Sequence, residues 1–249
     1  MNDLGTAINR VIATQKATER PLAIVLAGHN GSGKSTMWRK TLSDQLRIPL
    51  INADRMMLAI LPEPNDEGAL PDWARDLRDT DLGWMSVAQN GVHAFVAQAM
   101  QAKVPFAMET VFSHWRPRED GTVESKIDQI REMQAAGYFV LLLFVGLSSA
   151  ELSALRVETR VAMNGHDVDR VRLVHRFPRT QKAIRAALEV ADASILLDNS
   201  RDIKRAFTVC SVRLGPERLF DIRQGASTVP VAISTWLNSV SPIARENVQ

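Results

Sequence analysis

A single cysteine, Cys210, stands among 249 residues. Its solitude excludes an internal disulfide and a cysteine-rich metal site, and a reducing, cytoplasmic setting is the expectation that follows. Cys210 lies in an apolar stretch and reads as a small core residue. Long hydrophobic runs are also missing. The longest, Tyr138 to Leu147, is strand-sized, well short of the roughly 18 residues that cross a bilayer, so no membrane partner is expected. The N-terminus has no charged-then-apolar pattern, and no secretion peptide is expected. Aromatics are only 6%, and Trp38, Trp73, Trp84, Trp115 and Trp236 are scattered, so no aromatic cage can be argued. Charge is nearly balanced, at 30 basic against 28 acidic residues, which gives no general argument for nucleic acid. Internal repeats and low-complexity tracts are absent. What remains, 45% hydrophobic and 23% charged, is ordinary for a soluble globular protein with an ample core.

One stretch organises the rest. Ala23 to Thr36 reads strand, glycine-rich loop, helix start, and Gly28 with Gly33-Lys34-Ser35 fits the P-loop spacing G-x-x-x-x-G-K-[ST]. Gly28, Gly31 and Gly33 permit tight turns that lay bare N–H groups on phosphate oxygens, between His29, Asn30 and Ser32. The helix beginning near Ser35-Thr36 points its positive end at the same anion. Lys34 is placed to reach the β- and γ-phosphates and the Ser35 hydroxyl to ligate Mg²⁺. The expected ligand is a nucleoside triphosphate.

Along the chain, apolar spacing predicts a first helix over 3–15 with Asn2 or Asp3 as cap, the P-loop helix over 35–46, and a short strand at 49–52. A helix from Arg55 to about Leu61 follows, then a loop over 62–68 and a short helix over 71–78. Asp81 caps a long helix with Met85, Ala88, Val92, Phe95, Val96 and Ala99 on one face. Strands are expected at 104–110, 138–145 and 194–197. An irregular excursion is expected over 112–121 and a helix over 123–136 ending at Gly137. Ser148 or Ser149 caps a helix that Asn164-Gly165 breaks, and two more helices are expected at 167–177 and 179–191. The tail reads as a strand over 206–212 and a closing helix over 229–237. Strands alternating with helices, and too apolar for one wet face, predict an α/β fold: a mostly parallel sheet covered on both sides. The expected organisation is one domain over 1–249. Within it lie an N-terminal helix (1–20), a core (22–200) carrying a helical, arginine-bearing lid (151–191), and a C-terminal extension (201–249).

Ligands of such sheets lie beyond the carboxyl ends of the strands, so the residues there carry the chemistry. Asp54 follows the second strand, where a carboxylate can accept a hydroxyl proton or align the hydroxyl; the competing assignment is a helix N-cap. Glu109 closes the third strand and can hold Mg²⁺ through water, bind substrate hydroxyls, or stand as an exposed acid. Between Arg156 and Arg185 lie Arg160, Arg170, Arg172, Arg176, Arg179 and Lys182, against only Glu158, Asp167 and Asp169. Guanidinium groups on a lid can grip phosphate oxygens and neutralise charge that builds during transfer. The competing assignments are a solvated basic face or an RNA-binding patch, the latter weakened because only Phe177 lies among these charges. His166 and His175 have no metal-site company and read as lid or solvent-facing residues. Asp198 ends its strand in a Walker B pattern, with Asn199-Ser200 as a turn near the base.

With these residues in view, the chain resembles the zeta toxin family, the kinase half of epsilon–zeta toxin–antitoxin systems. The resemblance rests on Gly28 to Thr36, Ile51-Asn52-Ala53-Asp54, Glu109-Thr110-Val111-Phe112-Ser113, Phe144-Val145-Gly146-Leu147, Arg156-Val157 with Arg160-Val161, Gly165-His166-Asp167-Val168 and Asp198-Asn199-Ser200. It implies a P-loop kinase that uses ATP or GTP with Mg²⁺ to phosphorylate a hydroxyl of UDP-N-acetylglucosamine or a related UDP sugar. It implies Asp54 as catalytic base and Glu109 as the carboxylate gripping the sugar nucleotide, with Thr110 and Ser113 beside it. It places Arg156 on phosphates, with Arg160, Arg170 or Arg176 as the second arginine, and a separate antitoxin protein as a partner. His29, Asn30 and Ser35 depart from the best-known members' loop and match a broader, mostly bacterial branch. Other small-molecule hydroxyls, such as those of an antibiotic or polyol, and a non-catalytic nucleotide switch are the alternatives.

Overall fold

A computed structural model describes residues 3–225 and 228–243. Asn2 as an alternative cap, and residues 226–227 and 244–249 of the C-terminal extension, lie outside the described residues. The first helix, α1 (Leu4–Ala17), is capped by Asp3, whose carboxylate accepts from the Thr6 amide at 2.8 Å. It buries Leu4, Ala7, Ile8 and Val11, the stripe its spacing dictates. Then come β1 (Leu22–Gly28), the loop, and α2 (Lys34–Met37), which widens into a π turn over Trp38–Leu42 and closes as α3 (Ser43–Leu46). The chain continues through β2 (Leu50–Ile51), α4 (Ala53–Leu58), α5 (Asp72–Asp79), α6 (Leu82–Ala102) and β3 (Phe106–Thr110). Next are β4 (Trp115–Pro117), β5 (Val123–Ser125), α7 (Ile127–Ala135), β6 (Phe139–Gly146), α8 (Ala150–Val161) and α9 (Arg170–Ala187). The described chain ends with β7 (Ala193–Asp198), β8 (Thr208–Leu214), β9 (Glu217–Asp221) and α10 (Val231–Val240).

Seven strands form one sheet in the order β2-β3-β1-β6-β7-β8-β9. Pairing is parallel from β2 to β7 and antiparallel for β7–β8 and β8–β9. Alternate residues of β1 enter opposite cores. Ala23, Val25 and Ala27 face α6, α7, α9 and α10, whereas Leu22, Ile24 and Leu26 face α1 and the P-loop helix. Burial on both faces is why these strands are continuous apolar runs. Among the described residues, no helix is long and apolar enough to cross a membrane.

Several elements depart from their expected form. The antiparallel edge arises because segment 199–207, between β7 and β8, holds only a 3-10 turn at Ile203–Arg205; a parallel return needs a longer crossover. The excursion is a hairpin: β4 pairs with β5, so the expected 123–136 helix begins only at Ile127. The helices expected on either side of Pro178 are one helix, α9, because buried Leu173, Phe177, Thr180, Ala183 and Ile184 hold both halves to the core. The helix expected to reach about Leu61 ends at Leu58. Phe95 is 58% exposed rather than on the buried face of α6.

Candidate functional site

The site begins in the loop's backbone. Gly31 and Gly33 take φ of 69° and 87°, a region open to glycine at little cost. A side chain at Gly31 would meet the Arg156 Cβ and the Ser153 carbonyl at 3.0 Å, so α8 lies directly against the loop. Ser149 caps α8, and one turn on the Ser153 hydroxyl donates to the Asn30 carbonyl at 2.7 Å. From the other side, the Asn199 amide donates to the Ser32 carbonyl at 2.9 Å. His29 is 2% exposed, stacked on Phe177 of α9 at 3.9 Å and edge-on to Phe144 at 5.7 Å. Burial, aided by the nearby Lys34 charge, pushes its pKa down to about 3, so the ring is neutral. Thr36 follows Ser35 in the first turn of α2 and is half-buried.

Lys34 is buried and donates to the carbonyls of Gly28 and His29, each at 3.0 Å, with its Nζ 3.9 Å from Glu109 Oε1. Burial lowers its pKa; the carboxylates of Glu109 and then Asp54 oppose that, while Arg160 adds to it. These four charges therefore share one electrostatic neighbourhood. Glu109, at the end of β3, accepts from the Ser35 hydroxyl at 2.9 and 3.0 Å and from the Asn52 amide at 2.7 Å. The Ser35 hydroxyl and Glu109 carboxylate form a hard, all-oxygen donor set that fits Mg²⁺, which keeps most of its other ligands as water and phosphate.

Asn52, not Asp54, is the N-cap of α4: its side-chain oxygen accepts from the Arg55 amide at 2.9 Å. The capping demand is thereby met, and Asp54 in the first turn is exposed, near enough to Lys34 and Arg160 for its charge to act on both. Thr110 is used locally, its hydroxyl accepting from the amide of Phe112, which has φ 61°. Ser113 is half-buried in the segment after that turn.

The four arginines separate. Arg156, Arg160 and Arg176 are partly buried, and burial is the leading force against their charge in each case. For Arg160 the largest opposing influence is Asp54. Arg176 has like-charged Arg172 and Arg179 as further influences and, among the described residues, no carboxylate in ion-pair distance. An anion bound beside any of these guanidinium groups would offset that desolvation. Arg170 instead points outward and pairs with Glu158 at 2.8 Å. His166 is held by Asp79, and His175 is exposed.

Sequence reasoning missed Arg78 and Asp79 of α5, the stacking of Phe177, and the anchor of Asp198. The last is fully buried, accepting from Ser200 Oγ at 2.7 Å and from Trp236 Nε1 of α10 at 3.1 Å. It is a fastening for the Asn199 turn rather than an open Walker B acid. A capping reading of Asn52 was available from its place before Ala53-Asp54. Nothing local marks Arg78 or Trp236.

A family model described as Zeta toxin matches residues 6–223. An uncharacterized protein of Haemophilus influenzae is 28% identical over 144 residues, spanning 58% of this chain and 84% of that protein. Among solved structures, the PezAT chromosomal toxin–antitoxin system of Streptococcus pneumoniae is similar, with TM-score 0.52 and 15% identity over 96% of this chain and 89% of that one. The AvrRxo1-ORF1:-ORF2 complex with ATP gives TM-score 0.52 and 14% identity, over 99% of this chain and 72% of that one. At these identities the structural likeness speaks for the fold, and the match over most of the chain speaks for descent. The chain belongs to the zeta toxin family, with its P-loop kinase fold.

Proposed function

We propose that this protein is a single-domain kinase that transfers the γ-phosphate of ATP or GTP to a hydroxyl of UDP-N-acetylglucosamine or a related UDP sugar. The observation that carries the reading is the meeting of Lys34, Glu109, Asp54 and Arg160 beyond the strand ends, each within electrostatic reach of another. The loop amides and Lys34 cradle the phosphates. Lys34 now donates to two loop carbonyls, contacts it exchanges for phosphate oxygens. Ser35 and Glu109 would hold Mg²⁺, which would neutralise phosphate charge. Glu109 also faces the acceptor's hydroxyls, beside Thr110 and Ser113.

The acceptor oxygen forms a bond to the γ-phosphorus as the bond to the β-phosphate's bridging oxygen breaks, and the nucleoside diphosphate leaves. Asp54 takes the hydroxyl proton. Arg156 and Arg160 of α8 and Arg176 of α9, on the lid formed by residues 151–191, neutralise the charge spread over the transferring group. A separate antitoxin protein is the proposed macromolecular partner, and the cytoplasm the proposed setting.

The test is incubation of the purified protein with γ-labelled ATP and a panel of UDP sugars, antibiotics and polyols. Label on UDP-N-acetylglucosamine or a close relative is expected, and Lys34→Ala and Asp54→Ala should each abolish it while the thermal midpoint stays near wild type. Near-normal turnover in Asp54→Ala would remove the base assignment. Label on an antibiotic or polyol would replace the acceptor, and label on nothing would leave a nucleotide-binding switch.

A further inference from the structure

The last two residues of α5, buried Arg78 and half-buried Asp79, form an ion pair that the transfer reaction as described does not use. Arg78 is 5% exposed, and its guanidinium grips the Asp79 carboxylate in two places, at 2.7 and 2.8 Å. The remaining Arg78 donors reach across to the α8–α9 turn, to the carbonyls of Asn164 at 3.0 Å and Gly165 at 3.3 Å. Asp79 Oδ1 completes the contact with the same turn: it pairs with His166 Nδ1 at 2.7 Å and accepts from the Asp167 amide at 3.3 Å. Two short segments distant in sequence are thus fastened by charge-assisted hydrogen bonds on both sides of one carboxylate.

A buried ion pair is weak evidence for stability, because desolvating both charges offsets much of their attraction. Its geometric consequence is more informative. The Arg160 guanidinium donates to the His166 carbonyl, and its buried Nε has no partner among the described residues. The turn also presses on Arg160 from below: a Cβ at Gly165 would meet the Arg160 Cγ at 2.4 Å and its carbonyl at 2.9 Å. The Arg160 guanidinium is thus tied to the backbone of 165–166, and Arg78 with Asp79 ties that backbone to α5, alongside the turn's own bonds from the Asn164 and Gly165 amides to α8.

We propose that Arg78 and Asp79 are positioning residues, an ion pair that fixes the α8–α9 turn and so aims the Arg160 guanidinium into the cleft opposite Asp54. The proposal rests on the reading of Arg160 as a phosphate-binding residue, and its test is built to fail separately from the acceptor assignment. The primary measurement is the ratio of ADP to ATP dissociation constants in the full chain, which reports a γ-phosphate contact and needs no acceptor. Arg160→Ala is expected to lower that ratio about tenfold, a charge-assisted hydrogen bond's worth of discrimination. Asp79→Ala is expected to lower it severalfold with ADP affinity unchanged, and to add less than twofold in the Arg160→Ala background, because the two act in series.

Amide hydrogen exchange over 162–168 should quicken in Asp79→Ala. Where an acceptor is phosphorylated, kcat should fall about ten- to a hundredfold, the scale expected for ångström misplacement, and the ATP KM should rise severalfold along with the ATP dissociation constant. If Asp79→Ala does not fold, Asp79→Asn serves, since it keeps the volume and one acceptor while losing the charge. Equal effects of the Asp79 change with and without Arg160, or an unchanged ratio in a folded Asp79 variant, overturn the proposal. An unchanged ratio in Arg160→Ala overturns it too, by removing the contact it is said to aim. If the ratios behave as expected but no acceptor takes label, the positioning role stands and the kinase reading is what fails.

Discussion

Replacing His29 by glutamine should change how stability depends on pH, and by an amount that follows from where the ring sits. His29 is 2% exposed, stacked at 3.9 Å on Phe177, and Nε2 has no hydrogen-bond partner among the described residues. Burial first, and the Lys34 charge second, hold its pKa near 3 against an ordinary 6.5. The unfolded chain therefore binds a proton below pH 6.5 that the folded chain refuses, and stability falls as pH drops from about 6.5 toward 3. At pH 5 the unfolded ring is mostly protonated and the folded ring is not, so the loss relative to pH 8 is about 2 kcal/mol. Urea unfolding of wild type and His29→Gln at pH 8, 6.5 and 5 measures it. Other groups titrate in both proteins, so the quantity to read is the difference between their pH curves. Wild type should lose about 2 kcal/mol more than the variant between pH 8 and 5. Parallel curves would show that His29 charges in the folded state, and the sealed contact between loop and α9 would have to be abandoned.

Two further outcomes separate contacts that the sequence ranks equally. Arg176→Ala should reduce phosphate transfer by at least tenfold, about 1.4 kcal/mol of lost charge stabilisation, whereas Arg170→Ala should leave kcat within twofold because Arg170 is turned toward Glu158. Steady-state kinetics of both variants decides this, and equal losses would refute the division. Trp236→Phe keeps a smaller aromatic ring beside Phe144 but removes the donor to buried Asp198. It should cost about 1–2 kcal/mol in urea unfolding and raise the ATP KM severalfold, through the Asn199 contact to the loop. A KM unchanged at that stability loss would confine Trp236 to the core.

The sequence alone determined the loop, the strands that present it and the cores on either side. The reason is locality: a P-loop needs glycines, a lysine and a hydroxyl at fixed spacing, and doubly covered strands need unbroken apolar runs. Asp54 and Glu109 stood out as candidates for the same reason, Glu109 lying at the end of β3 and Asp54 just beyond β2. The tertiary structure decided what local pattern leaves open. It showed Asn52 capping α4 and so freeing Asp54, carried α9 through Pro178, turned Arg170 away while leaving Arg176 without a carboxylate partner among the described residues, and closed Asp198 under Trp236. In each case the deciding partner lies far along the chain or follows from packing against the core. The Arg78–Asp79 pair is the plainest instance: it meets 164–167 only because α5 and the α8–α9 turn arrive at one place, and no spacing rule links residues that fold brings together.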